Sequence, residues 1–328
     1  MPRLVAPRTS WLKLLAGFAL AACGVPTESL QVTAITMGAD GQYTAVWECG
    51  EGCDDGAPLE LVVRAPGGAP ERVAAREIEA VRAPADRLTV MIVVDASGDA
   101  GPLVRAARRA LTPAFGTLAD AGAQAGLVRA STRASLLAAP SRDADALVDA
   151  AAGLYTRDGW HALYDGIRMA NEAMGGTSDG VVAPLATTTS AVDACGEVAS
   201  HAIVAIVGGA DTNSADQNRP GDDVATRLGD LERLVVGAGR PALHVIMVDA
   251  TGDGLEDLAA LARASGGSAV AVDGPDDVEA ALDARVDALL HRTRRCATFA
   301  ATPCPRFELT AHVEGEQAPA LAVACGVR

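Results

Sequence analysis

Aromatic side chains and lysine are scarce in this chain of 328 residues. Phe, Trp and Tyr together make up 3% of the residues, which means that a core must be packed from Ala, Val and Leu. Positive charge is also scarce, because 27 basic residues face 42 acidic ones and leave a formal net charge of −15. A chain this acidic is repelled by nucleic acid and by anionic lipid surfaces. We therefore expect no nucleic-acid partner.

Two sequence signatures of catalysis are missing as well. The sequence contains neither a His-Glu-x-x-His motif nor a phosphate-binding P-loop. Its five histidines are scattered singly, so no spacing brings a nucleophile and a base together. We predict that the protein is not an enzyme.

The first 22 residues resemble a bacterial lipoprotein signal peptide. A basic region that includes Lys13 precedes the apolar run LLAGFALAA, which is far too short to span a bilayer. The run closes in Leu-Ala-Ala before Cys23, which is the order of a lipobox whose cysteine takes the lipid. Gly24 is not the Asp that commonly retains lipoproteins in the inner membrane. We expect an exported protein anchored to the bacterial envelope through Cys23, with the outer membrane favoured; the alternative is an ordinary secretory signal.

Six further cysteines form an even set, which in an exported protein indicates three disulfides. Zinc binding is the competing interpretation, but the cysteines lack the closely spaced pairs of zinc ribbons. We predict the pairs Cys49–Cys53, Cys195–Cys296 and Cys304–Cys325. The first pair straddles a glycine turn, the second joins two connections at the bottom of the predicted sheet, and the third flanks two strands that we expect to pair.

Hydrophobic periodicity changes twice along the chain. Residues 24–86 alternate like β-strands separated by glycine-rich turns, which predicts a small β module. Residues 87–292 alternate between short apolar runs and amphipathic segments, which predicts strands and helices in turn and therefore an α/β fold. Residues 293–328 again contain two β segments, which makes them a candidate to complete the N-terminal module.

The segment LTVMIVVDASGD, residues 88–99, is the most informative part of the chain. Its apolar run is too short for a helix and rich in Val and Ile, which indicates a buried parallel strand. The strand ends at Asp95, close to Ser97, and we predict a helix that has Pro102 in its first turn and bends or ends near Pro113. Open α/β sheets place their ligand sites at the carboxyl ends of such strands.

This segment resembles the first metal-site motif, Asp-x-Ser-x-Ser, of von Willebrand factor type A (vWA) domains. Two short strands that can pair as a hairpin follow the first helix, and βα units follow them, an order similar to that of vWA domains. The resemblance covers residues 87–292 and implies a Rossmann-like, doubly wound, mostly parallel sheet with one antiparallel edge strand. It also implies a Mg²⁺ site built from three loops, at which an acidic side chain of a partner protein completes the coordination.

Three of the five metal-ligand positions implied by the resemblance are changed. Asp95 and Ser97 are kept, but Asp99 replaces a serine. His161 stands at the threonine of the second loop, and Gly208 stands at the aspartate of the third. We therefore expect a degenerate site and no cofactor. The alternative is a rebuilt site of Asp95, Ser97, Asp99 and His161, which would suit Mn²⁺ or Zn²⁺ better than Mg²⁺.

Loops at the same end of the sheet are the predicted partner-binding surface, with Trp160, Asp211, Thr212 and Asn213 as candidate contacts. We expect protein–protein interaction or adhesion at the cell envelope, independent of metal. A metal-dependent adhesin is the second hypothesis. A nucleotide-dependent enzyme is the third, because the ASGDAG segment loosely resembles a dinucleotide loop and Arg129 is placed to meet a 2′-phosphate. The acidic residues around that loop would repel a pyrophosphate.

Overall fold

The computed structural model of the chain describes residues 31–37, 43–49, 59–64, 69, 71–98, 100–156, 161–176, 195, 198–211, 214, 228–236, 239–249, 253–300, 306–313, 316–317 and 321–324. Its strands are Gln31–Met37 (β1), Tyr43–Cys49 (β2), Leu59–Arg64 (β3), Glu71–Val73 (β4), Ala75–Arg82 (β5), Leu88–Asp95 (β6), Gln124–Ala130 (β7), Ser135–Ser141 (β8), Ser200–Val207 (β9), Ala242–Val248 (β10), Ala269–Val272 (β11), Thr293–Phe299 (β12), Arg306–Val313 (β13), Glu316–Gln317 (β14) and Leu321–Ala324 (β15). Its helices are Gly101–Asp120 (α1), Ala144–Ala152 (α2), Leu163–Ala173 (α3), Leu228–Val235 (α4), Asp253–Ala264 (α5) and Val278–Leu290 (α6). None of these described helices combines the length and the apolar character needed to cross a membrane.

A six-stranded sheet with the order β11-β10-β9-β6-β7-β8 forms the centre of the α/β unit. Every neighbouring pair in it is parallel except β7 and β8, which form an antiparallel hairpin at one edge. Helices α1, α2 and α6 pack on one face, and helices α3, α4 and α5 pack on the other. The predicted doubly wound, mostly parallel fold with one antiparallel edge strand is therefore confirmed.

The central strand β6 explains why its sequence is almost continuously apolar. Alternate residues face opposite helical layers, so that Ile92 packs on the side of α1 and Val93 on the side of α3. A strand covered on both faces has no solvent-exposed side on which polar residues could alternate. The apolar run ends at Asp95, the last residue of the strand, which consequently lies at the carboxyl edge of the sheet.

Helix α1 continues past Pro113 as far as Asp120, so the proline does not end the helix. Proline removes one backbone hydrogen bond and crowds the preceding turn. Leu111, Phe115 and Leu118 flank Pro113 and are buried in the core. Burial of each such side chain contributes about 1.5–3 kcal/mol, which together outweighs the penalty of a single proline.

The two ends of the chain share β-sheets. One sheet has the order β1-β2-β12-β5, so that β12, which follows α6 directly, lies between two strands of the N-terminal segment. The other has the order β14-β13-β3-β4, and β15 pairs with β13. The apolar pattern predicted no strand at β12, because it is interrupted by Arg294 and Arg295, both of which are buried in the structure. The domain boundaries proposed from the sequence remain predictions.

A buried charged cluster joins β2 to the start of the parallel sheet. Glu48 is 2% exposed, and its carboxylate lies 2.8 Å from a guanidinium nitrogen of Arg294 and 3.1 Å from one of Arg292. The hydroxyl of Ser200, the first residue of β9, also donates to Glu48. Burial acts to raise the pKa of Glu48, but the two guanidinium groups and Ser200 lower it below its usual value. The carboxylate is therefore held in its ionised form.

A disulfide between Cys195 and Cys296 closes the same junction, with the two Cα atoms 6.0 Å apart. Arg294, on the same strand as Cys296, donates to the carbonyl oxygen of Cys195 at 2.9 Å. This predicted disulfide is confirmed. Cys23, Cys53, Cys304 and Cys325 lie outside the described residues, and only the backbone of Cys49 is described, so the other two pairs and the lipidation site stay predictions.

Candidate functional site

Asp95 and Ser97 form the base of the candidate site. Asp95 ends β6 and is 1% exposed, and Ser97 is buried in the turn that leads to α1. The backbone N–H and the hydroxyl of Ser97 both donate to Asp95 Oδ1, at 3.1 and 2.8 Å. Aspartate commonly binds the backbone two residues further on in this way, which stabilises a turn. The loop itself therefore holds these two side chains together.

His161 brings the second loop to the same carboxylate. It lies two residues before the first residue of α3, and its side chain is 17% exposed. Its Nδ1 lies 3.0 Å from Asp95 Oδ2 and 2.9 Å from Ser97 Oγ. Because an ionised carboxylate can only accept, Nδ1 carries the proton in this arrangement. The structure thus brings together three of the residues selected from the sequence.

Gly208 brings the third loop to the site through its backbone. Its N–H donates to Asp95 Oδ2 at 3.2 Å. A Cβ at this position would lie 3.0 Å from Cδ2 of Leu103 and 3.7 Å from Asp95 Oδ2. An aspartate here would bring a second carboxylate beside Asp95 and would require Leu103 to shift by a few tenths of an ångström. The glycine therefore suits a site that uses a backbone donor in place of a carboxylate ligand.

These donors do not fit Mg²⁺. The Asp95 carboxylate accepts four hydrogen bonds, two from Ser97, one from His161 and one from Gly208. A carboxylate has about four acceptor positions, so the protein already uses them all. Mg²⁺ demands octahedral oxygen coordination, whereas here a protonated nitrogen faces the carboxylate. Among the described residues, no group of three or more His, Cys, Asp and Glu side chains is placed to hold a metal; Asp99 lies outside them.

Asp211 and Ser214 bind the first turn of α3. Asp211 accepts a hydrogen bond from the N–H of Tyr164 at 2.7 Å, and the Ser214 hydroxyl accepts one from the N–H of Asp165 at 3.1 Å. Ser214 also donates to Asp211 through its N–H and its hydroxyl. Ala162, which precedes the helix, cannot cap it with a side chain, so the third loop supplies the cap. Asp211, predicted from the sequence as a partner contact, thus caps a helix, and Ser214 was not predicted as a site residue.

The cap also affects Tyr164. Burial, followed by the charges of Asp211 and Asp257, raises the pKa of Tyr164 to about 12. The phenol therefore stays protonated at neutral pH and is not available as a base.

A small cavity of about 130 Å³ opens beside His161. Ala100, Leu103, Gly208 and Asp249 also line it. Pockets that enclose drug-sized ligands measure about 300–1,000 Å³, so this cavity is smaller than such a site. The predicted partner contacts Trp160, Thr212 and Asn213 lie outside the described residues and remain predictions.

The site lies at the carboxyl edge of the central sheet. The chain passes from β6 to β7 on one side and later to β9 on the other, so Asp95 lies at a topological switch point. Three loops meet there, and an antiparallel hairpin strand closes the sheet at one edge. The α/β unit has a vWA-like fold.

Comparison with solved structures finds remote likenesses, among them a VWA domain, a vWF domain and a pilus adhesin. The vWF domain of the type V pili tip protein Mfa5 from Porphyromonas gingivalis is 12% identical, with a TM-score of 0.43, over 63% of this chain and 95% of that one. The SpRpn10 VWA domain is 16% identical, with a TM-score of 0.37, over 58% of this chain and 92% of that one. The pilus adhesin SpaC from Lactobacillus rhamnosus GG is 10% identical, with a TM-score of 0.44, over 85% of this chain and 47% of that one. No family model and no curated protein matches the chain.

The Asp95, Ser97 and His161 contacts of the vWA-like unit do not form a hydrolytic triad. In such a triad the nucleophile and the acid bind opposite nitrogens of the imidazole, so that a proton can pass through the ring. Here both Ser97 and Asp95 approach Nδ1.

A Gly-x-Ser-x-Gly pattern does occur at residues 176–180, but it follows the helix α3 and not a strand, whereas the nucleophile elbow of hydrolases is a strand-to-helix turn.

Proposed function

We propose that this protein is a lipid-anchored module of the bacterial cell envelope that binds a partner protein without a metal ion. The binding surface is the top face of the vWA-like unit, which comprises Asp95–Ser97, His161 and Gly208–Asp211 together with the predicted contacts Trp160 and 212–213. A single observation carries the proposal, namely that the protein's own donors fill the acceptor positions of the Asp95 carboxylate.

The four hydrogen bonds explain how the top face keeps its shape without a cation. In the vWA family that this unit resembles, a metal ion bridges three loops. Here Ser97, the His161 imidazole and the Gly208 N–H bridge the same three loops through one carboxylate. A loop surface that is fixed before binding loses less conformational entropy when a partner arrives. This arrangement supports a binding function and assigns no residue to catalysis.

Export and anchoring are proposed from the sequence. The lipobox-like segment ends at Cys23, and Gly24 favours the outer membrane. The Cys195–Cys296 disulfide supports residence in an oxidising compartment, since structural disulfides are rare in the cytosol.

In-cell photo-crosslinking tests the proposal. A benzophenone amino acid at Ala210, half-buried on the top face, is compared with the same amino acid at Ala280, which is exposed on α6. We expect a discrete crosslinked protein from position 210 only, with the same yield after a chelator has removed divalent ions. Equal patterns from both positions would contradict the top face as the binding surface, and a product that requires Mg²⁺ would contradict metal independence.

A metal-dependent adhesin with a Mn²⁺ or Zn²⁺ site is the second candidate. The observation that favours it is that His161 Nδ1 lies close to both Asp95 and Ser97. If Nδ1 lost its proton, one nitrogen and two oxygens would surround a cation there. Thermal melts with these ions separate the two candidates, as described below.

A further inference from the structure

Arg129, the last but one residue of β7, is a buried cation for which the described part of the chain provides no carboxylate partner. The residue is 6% exposed, and its Nε has no hydrogen-bond partner. Its Nη2 donates to Ser135 Oγ at 3.2 Å, but no ion pair links it to a carboxylate in the part of the chain that the structure describes. By contrast, the buried Arg292 and Arg294 both pair with Glu48. Although the chain has 42 acidic residues, none of the described ones compensates Arg129.

Tyr155 covers the guanidinium of Arg129. The guanidinium carbon lies 4.5 Å from the centre of the tyrosine ring, which is a cation–π contact. Stacking fixes the plane of the guanidinium, whose Nε is buried and has no hydrogen-bond partner. Tyr155 is itself 47% exposed, unlike most large side chains of the described core. Tyrosine and arginine are the residue types most often found as energetic anchors of protein interfaces.

The pair of Arg129 and Tyr155 adjoins the top face. Ala130, the residue after Arg129, lies opposite Asp95 in the parallel register, and the carbonyl of Ser131 accepts a hydrogen bond from Ala162 next to His161. A partner protein on the top face therefore passes close to Arg129.

We propose that Arg129 and Tyr155 form a docking site for an Asp or Glu side chain of the partner protein. A charged group removed from water requires a compensating charge, and a carboxylate matches the planar guanidinium with two parallel N–H···O bonds. The site does not use Asp95 or His161 and is separate from the degenerate metal-site position. It rests on the proposed function only in assigning the carboxylate to a protein.

The first test is an NMR titration of the full mature chain. The Nε–Hε signal of Arg129, assigned by its loss in Arg129→Lys, is followed as N-acetylglutamate N-methylamide is added. The matched probe is N-acetylglutamine N-methylamide, which has the same shape and no charge. We expect a saturable shift with the acid only, and none for the exposed Arg133. Equal shifts with both probes, no saturation, or a shift with inorganic phosphate but not with the acid would overturn the proposal.

The second test uses the crosslinked partner from position 210. Arg129→Gln should lower its yield about tenfold, the effect of losing one charge-assisted hydrogen bond, whereas Arg133→Gln should leave the yield unchanged. Absence of any crosslink would contradict the proposed function while leaving the titration to decide the acidic docking site. A normal crosslink together with an unresponsive Arg129 signal would contradict the docking site alone.

Discussion

At the scale of single residues, His161 connects the second loop to Asp95 and Ser97 through hydrogen bonds. Its Nδ1 proton faces Asp95 and Ser97 from a loop 64 residues further along the chain than Ser97. Asp95 is buried, so the loss of any of its donors would leave part of its charge uncompensated. An imidazole at the position where the resemblance implies a threonine hydroxyl thus joins this carboxylate through a hydrogen bond.

Replacing His161 by Ala should lower the free energy of unfolding by about 1.5–3 kcal/mol, because a hydrogen bond to a buried carboxylate is lost. Urea denaturation measures the change. His291→Ala, at an exposed histidine next to the end of α6, is the matched control and should change stability by no more than about 0.5 kcal/mol. Equal effects of the two substitutions would contradict a structural role for His161.

The same variant separates the two metal hypotheses. If Mn²⁺ or Zn²⁺ bound at Asp95, Ser97 and His161, either ion would raise the melting temperature of the unmutated chain but not that of His161→Ala. We expect no ion-dependent rise in either protein, because the proton on Nδ1 occupies the position of the metal bond.

At the scale of elements, the N-terminus of α3 shows where sequence analysis stops being sufficient. The period of the helix and its end at Gly175 could be predicted locally, and the positive φ of Gly175, 84°, fits that end. Its cap could not, because Ala162 gives no capping signal and the capping Asp211 lies 47 residues beyond the amide that it binds. A local pattern contains no information about an acceptor supplied by another loop.

Other elements repeat this contrast. Strand β6 and the β7–β8 hairpin follow from short-range apolar patterns, and both were predicted. Strand β12 was not, because the charge of its buried Arg294 is compensated by Glu48, which lies in a distant segment of the chain. The proximity of Asp95, Ser97 and His161 followed from a family resemblance, whereas their hydrogen-bond pattern depended on side-chain positions that no sequence pattern specifies.

Replacing Asp211 by Ala should destabilise the protein by about 0.5–2 kcal/mol through loss of the α3 cap. The backbone N–H of Tyr164 donates a hydrogen bond to Asp211 in the unmutated chain. Hydrogen-exchange measurements should therefore show faster exchange of this amide in the variant. Asp149→Ala, at an exposed position of α2, should alter neither quantity. Unchanged protection of Tyr164 in Asp211→Ala would show that the cap is not formed in solution.

At the scale of the whole molecule, charged side chains are buried at the junction between β2, β12 and the parallel sheet. Arg292 contacts Glu48 and His244 there. Arg292 donates to His244 Nε2 at 2.9 Å, and Ser268 lies 3.2 Å from the other ring nitrogen of His244. Burial, followed by the charges of Arg292 and Arg285, lowers the pKa of His244 well below 6.5. The imidazole is consequently neutral in the folded protein at neutral pH.

This junction predicts that the fold weakens in acid. A histidine whose pKa is lower in the folded state stabilises the fold above about pH 6.5, and that contribution is lost as the pH falls below this value. Glu48, also with a lowered pKa, adds a loss below about pH 4.5. Urea denaturation between pH 7.5 and 5 should show stability falling by up to about 1.4 kcal/mol per pH unit for His244.

His244→Gln keeps an acceptor for Arg292 but does not titrate, so it should flatten this pH dependence. His291→Gln, at the exposed histidine, should leave the dependence as it is. A slope that is the same in His244→Gln and in the unmutated chain would assign the acid sensitivity to other groups, of which His201, with its pKa lowered by burial, is the first to test.

The most direct test of a metal-independent top face is a thermal melt with and without millimolar MgCl₂ at matched ionic strength. We predict the same melting temperature for the unmutated chain in both. The double variant His161→Thr with Gly208→Asp restores two oxygen ligands and serves as the positive control, which should gain a magnesium-dependent rise. Saturation at about a hundred times the dissociation constant adds about 2.7 kcal/mol to stability, so a bound ion would be detected. A magnesium-dependent rise in the unmutated chain, absent from Asp95→Asn, would contradict the account.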